Sequence, residues 1–185
     1  KELAEAIQKE QAELVQQQEA FAQAKSKENE LFQQRVAKKM EEERVSIAKE
    51  TNERFEQQLK ALDADLRQAL AQVPPNQRLL VSCEGAFSYL ARDYGLDEAY
   101  LWPVNAETQV TPKRLARLID TVKQRRVPAV FCESTVSDEA QREVARATGA
   151  RFGGTFYVDS LSGSGGPAPN LLALQRHNVN LIVQG

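Results

Sequence analysis

Arg78-Leu79-Leu80-Val81-Ser82-Cys83-Glu84-Gly85-Ala86-Phe87-Ser88-Tyr89-Leu90 decides how the rest of the chain is read. An apolar run of β type ends in a small polar pair, a carboxylate and a glycine, and apolar residues at helical spacing come at once after it. The stretch therefore reads as a buried strand that delivers Glu84 at its exit and turns directly into a helix. Side chains at the carboxyl ends of parallel strands face the crevice in which open α/β sheets bind their ligands.

Downstream, the same alternation repeats. Strands are expected at 79–82, 99–104, 127–132 and 152–158. Helices are expected at 87–94, closed by Gly95, from Thr111-Pro112 with Leu115, Leu118, Ile119 and Val122 inward, and from Ser137 to Thr148, stopped by Gly149. A last helix is expected over roughly 168–178, with 180–183 as a strand or a helix end. Units of this length require a parallel sheet with right-handed crossovers and helices on both faces, an α/β fold.

Upstream, Val73-Pro74-Pro75-Asn76-Gln77 ends a different kind of segment. Two prolines cannot continue a helical hydrogen-bond ladder, so the boundary is placed there, with a helical segment over 1–73 and the α/β domain over 74–185. Residues 1–73 contain neither glycine nor proline and are rich in Gln, Glu, Ala, Lys and Leu. Phe55, Leu59, Leu62, Leu66, Ala69 and Val73 form one apolar stripe, while the stripe further upstream is thinner. Two arrangements are open: a helical hairpin folding back near Lys25–Glu30, or a coiled-coil-like arm. The arm would serve self-association or a partner helix through residues 1–50; a merely solvated helix is the plainer reading.

Composition narrows the function. The chain has 185 residues, a net charge of −2 and 6% aromatic residues, without the basic field or stacking platforms that nucleic acid requires. No stretch of about 18 apolar residues is available to span a membrane. One histidine, His177, and two cysteines do not assemble a Ser-His-Asp or Cys-His set, so a binding protein is expected, not an enzyme. The glycine-rich 160–167 lacks the lysine of a phosphate loop and reads as a mobile loop near the crevice.

Three carboxylates stand at strand exits: Glu84, Glu133 and Asp159. Oxygen donors converging on one sheet edge suit a hard or borderline divalent cation such as manganese, although acidic residues after strands are also common as caps. Cys83 and Cys132 end the first and third strands. Neighbouring strands lie about 4.8 Å apart, within the reach of a disulfide, so a Cys83–Cys132 bond and an oxidising compartment are predicted, with two buried free thiols as the alternative.

Four separated motifs then carry a resemblance. Leu80 to Leu96, Leu101-Trp102-Pro103-Val104-Asn105 leading to Thr111-Pro112, Val130-Phe131-Cys132-Glu133-Ser134, and Phe156-Tyr157-Val158-Asp159-Ser160-Leu161 resemble, in order, the carboxyl-terminal lobe of the metal-binding solute receptors of ABC importers, in particular the cyanobacterial manganese type of cluster A-I. The resemblance covers roughly 50–185, and 52–73 is similar to the end of the helix that joins the two lobes. It implies that Glu84 and Asp159 are the metal ligands of this lobe, with Glu133 supporting them. It implies Mn2+ as the ion, since zinc-type members carry histidine where Glu84 stands, with Zn2+ the second choice. The cysteine pair is similar to that of the manganese receptor. A periplasmic or extracytoplasmic location and an importer membrane subunit as partner are implied by the same likeness.

Family sites draw two histidines from the other lobe, and this chain has only His177, which falls on the last helix away from the crevice. Two oxygen ligands make a half-complete site, weak unless another protein supplies the rest. The alternative is a helical interaction or scaffold protein that keeps the α/β lobe without tight metal binding.

Overall fold

The computed structural model describes residues 2–104 and 110–185; Asn105, part of one of the motifs above, lies outside the described residues. The chain divides into two compact units, 1–56 and 57–185. The first is helical over its described residues, which make up the greater part of α1 (Glu2–Leu70). No turn interrupts α1 near Lys25–Glu30, so the hairpin does not form; with neither glycine nor proline there, nothing opposes propagation of the ladder. Apolar residues such as Phe21, Phe32 and Met40 are exposed along this unit.

The second unit alternates strands and helices. After a single turn at Pro75–Gln77 come β1 (Leu79–Gly85), α2 (Ser88–Tyr94), β2 (Asp97–Pro103), α3 (Pro112–Arg125), β3 (Ala129–Glu133), α4 (Glu139–Thr148), β4 (Arg151–Phe156) and α5 (Leu171–Gln184). All pairing is parallel: β1 with β2, and β3 with β4. β1 and β3 lie side by side and are cross-linked, giving the order β2-β1-β3-β4, but among the described residues the regular ladder is confined to the two outer pairs.

Period-two alternation along the strands builds two cores. Leu79, Val81 and Cys83 of β1 and Val130 and Cys132 of β3 face Leu118 and Val122 of α3 and Val144 of α4. Leu80, Ala129 and Phe131 face the opposite way, onto Leu62, Leu66 and Leu70 of α1, Ala91 of α2 and Val179 of α5. The sheet is thus covered on both sides. Each fully buried Leu, Val or Phe contributes about 1.5–3 kcal/mol relative to exposure.

Helix ends obey their local chemistry. Thr111 caps α3 by accepting from the Arg114 N–H at 3.3 Å, with Pro112 at the first helical position. Gly95 and Gly149 take the left-handed positions that end α2 and α4. The guanidinium of Arg78 donates to the carbonyls of Leu70 at 2.7 Å and Val73 at 3.2 Å, satisfying acceptors that the end of α1 leaves over.

The last helix differs from expectation. It begins at Leu171, not 168, because the Asn170 side chain accepts from the Ala173 N–H at 3.0 Å behind Pro169. It runs to Gln184, so 180–183 is helix and not strand.

Candidate metal centre

Glu84 occupies the next-to-last position of β1, half-buried, with Ser82 Oγ donating to its carbonyl at 2.7 Å. Its position is fixed partly by the glycine next to it. A Cβ at Gly85 would lie 2.8 Å from the ring of Tyr100 on β2, so glycine lets β1 pass under that ring without displacing it.

Glu133 ends β3 and is 2% exposed. One carboxylate oxygen, Oε2, accepts from the Glu84 backbone N–H at 3.2 Å; the other, Oε1, has no hydrogen-bond partner among the described residues. Burial pushes this carboxyl up to about 7. The backbone N–H groups of Glu133, Glu84 and Cys83 offset part of that rise, and the neighbouring Glu84 charge adds to it.

Asp159 lies three residues beyond Phe156, which is the register partner of Glu133, and its side chain is exposed. The loop that carries it is fastened twice. Asn178 of α5, 2% exposed, accepts from the Tyr157 N–H at 3.0 Å and donates to the Tyr157 carbonyl at 2.6 Å. The hydroxyls of Ser160 and Ser134 meet at 2.7 Å, and the Ser134 N–H donates to the Phe156 carbonyl at 2.9 Å. Asp159 and Glu133 are therefore each next in sequence to one member of a single serine pair.

Cys83 and Cys132 form the predicted disulfide, with their Cα atoms 4.9 Å apart. Their sulfurs and a Glu133 oxygen lie within 4.8 Å of one another. With both sulfurs bonded to each other, this cluster offers no thiolate to a metal. The available donors at this edge are carboxylates, which suits hard and borderline cations such as manganese better than soft ones.

His177 is half-buried on α5. Its Nε2 lies 3.0 Å from the Thr155 carbonyl and its ring meets that of Tyr157 edge-on, a contact that steadies β4. The glycine-rich loop is closed on itself: Ser162 binds both backbone groups of Ala168, each at 2.9 Å, around a turn in which the Gly166 N–H reaches the Gly163 carbonyl. The Ser134–Ser160 pair and the Asn178 clamp had no signal in the sequence, since each joins residues of unremarkable type from distant parts of the chain.

A profile of the family described as zinc-uptake complex component A, periplasmic (ZnuA), matches residues 30–185. The chain belongs to this family. The likeness to the ZnuA family extends further into α1 than the motifs alone suggested. The iron-binding protein YfeA of Yersinia pestis is 49% identical over 131 residues, 71% of this chain and 42% of that protein. The manganese ABC transporter substrate-binding lipoprotein PsaA of Streptococcus anginosus is 28% identical, with the same coverage.

Among solved structures, the Mn-bound periplasmic metal binding protein of Candidatus Liberibacter asiaticus is 35% identical with a TM-score of 0.65, covering 70% of this chain and 48% of that one. The periplasmic zinc binding protein TroA of Treponema pallidum is 27% identical with a TM-score of 0.66, covering 70% and 49%. The chain spans less than half the length of these relatives. They are named as metal-binding or transport proteins, in keeping with a binding role and not a catalytic one. The ions in their names differ, so the likeness establishes a metal-receptor fold without fixing the cation.

Proposed function

We propose that this chain is the carboxyl-terminal lobe of a divalent-metal receptor serving an ABC importer in the periplasm or an equivalent extracytoplasmic space. Glu84 and Asp159 are the ligands it contributes, and Glu133 holds the β1 exit in place behind them. The observation that carries the reading is the hydrogen bond from the Glu84 N–H to the buried carboxylate of Glu133, which fixes a carboxylate-bearing strand exit within a metal-receptor fold. The disulfide supports an oxidising compartment.

Manganese is the cargo that two oxygen ligands and the absence of a local histidine or thiolate suit best, with zinc second. Two protein ligands leave most of the coordination shell to water, so the lobe binds weakly until the remaining ligands arrive from elsewhere. The importer's membrane subunit is the downstream partner.

Titration calorimetry with manganese tests this. The expected result is weak binding at one site, lost in both Glu84→Ala and Asp159→Ala. Tight one-to-one binding by this chain would contradict the half-site, and binding unchanged by both substitutions would remove these residues from it.

A second reading gives residues 1–50 an interaction role of their own, favoured by exposed Phe21, Phe32 and Met40 on α1. Light scattering decides it: a mass that rises with concentration, and stops rising when 1–50 are removed, supports self-association.

A further inference from the structure

The densest positive charge in the chain lies on α3. Between Pro112 and Arg126 stand Lys113, Arg114, Arg117, Lys123, Arg125 and Arg126 against Asp120 alone, in a protein whose net charge is −2. Arg125 is paired with Asp97 at 2.7 Å. Arg114 and Arg117 are exposed, and neither guanidinium has an ionic or hydrogen-bond partner among the described residues.

These two arginines lie beside an open strand edge. Among the described residues, β2 pairs with β1 alone. The Asp97 N–H donates to the Arg78 carbonyl at 2.9 Å, and in a parallel ladder alternate residues turn both backbone groups to the same side. Glu98, Tyr100 and Trp102 therefore direct their N–H and C=O groups away from β1. That edge and α3 enclose a groove of about 370 Å³, with Arg114, Arg117 and Thr121 along the helix side.

We propose that this groove receives an extended, acidic segment of a partner protein, which adds a strand to the free edge of β2 while its carboxylates meet Arg114 and Arg117. The unpaired backbone groups of an edge strand are matched by another backbone in extended form. Alternate side chains of such a strand recur about every 6.6 Å on one face, and Arg114 and Arg117 are about 4.5 Å apart in helix rise, a mismatch that arginine side chains absorb. A flat anionic surface would meet the arginines but leave the edge unpaired, and for that reason the peptide is favoured over a lipid headgroup layer.

Trp102 is the chain's sole tryptophan and lines the groove, so its fluorescence reports occupancy. The probe is a capped peptide alternating threonine and glutamate, compared with its threonine–lysine counterpart and with phosphatidylglycerol vesicles. A saturable change with the glutamate peptide alone is expected, weakened about tenfold or more in the Arg114→Glu, Arg117→Glu double variant, and by added salt. Tyr100→Pro removes one outward N–H without touching the ladder to β1 and should also weaken it. Thermal unfolding of both variants verifies that the fold is retained, and the arginine variant, altered only on an exposed helix face, carries the test if the proline disturbs β2. No saturable change, equal affinity in the arginine variant, equal response to the lysine peptide, or a response to vesicles alone would each overturn the proposal.

Discussion

The backbone N–H of Glu84 donates to Oε2 of Glu133 across 3.2 Å, tying the exit of β1 to the end of β3 through a carboxylate that is 2% exposed. This one contact links burial, charge and the placement of a candidate ligand.

Burial of that carboxylate, only partly offset by the contact, makes stability depend on pH in an unusual direction. Glu133 titrates near 4.5 unfolded and about 7 folded, so its protonated form is favoured by folding. The resulting stabilisation is complete below the unfolded value and lost as pH rises through about 7, amounting to about 3 kcal/mol at most. Asp63 and Asp93 are held low by Arg67 and Arg92 respectively, and their contributions, present above 3.8, are lost only as pH falls below it. Urea unfolding of the metal-free protein at intervals from pH 5 to 7.5 should show declining stability, and Glu133→Gln should flatten that decline. A Glu133→Gln slope equal to the parent's would exclude this carboxyl as its source.

The disulfide closes a loop across a sequence separation of 49 between two strands with no regular ladder between them. Loop closure of this length constrains the unfolded chain by about 4 kcal/mol in the chain-entropy account, and measured values run about 2–4 kcal/mol. The double substitution Cys83→Ala, Cys132→Ala should lower the urea midpoint correspondingly. Addition of a dithiol reductant should then leave the variant's midpoint unchanged while lowering that of the parent.

Asn178 holds Tyr157 by both its N–H and its carbonyl, and this clamp sets the start of the loop carrying Asp159. Asn178→Leu keeps approximate size but leaves two half-buried backbone groups of Tyr157 without this partner, at a cost of about 1–2 kcal/mol. Hydrogen exchange should accelerate at Tyr157 and across 158–160 beyond what global destabilisation produces. Exchange that rises equally throughout 74–185 would show the clamp to be purely structural.

How far the sequence could be read depended on the kind of interaction. β1 was visible because Leu79, Leu80 and Val81 stand in an uninterrupted apolar run, and α3 because Thr111-Pro112 starts it and Leu118 and Val122 recur at helical spacing. The Cys83–Cys132 pair is legible because both residues lie near the ends of strands that the fold makes neighbours. Asn178 reads in the sequence as the end of a helix and is in fact buried mid-helix: polarity alone cannot separate a solvated asparagine from one buried against a backbone turn. The single course of α1 was equally hidden, since the absence of glycine and proline permits a long helix without excluding a polar turn. The missing ladder between β1 and β3, and the Ser134–Ser160 contact, depend on tertiary placement that no local pattern records.

The most direct measurement is paramagnetic broadening of amide NMR signals by substoichiometric Mn2+. If Glu84 and Asp159 share one cation, the amides of Gly85, Ser134 and Ser160 should broaden first and together, and Glu84→Ala or Asp159→Ala should abolish the effect at all three. Broadening centred elsewhere, or at Gly85 without Ser160, would mean that the two carboxylates do not meet at a common ion.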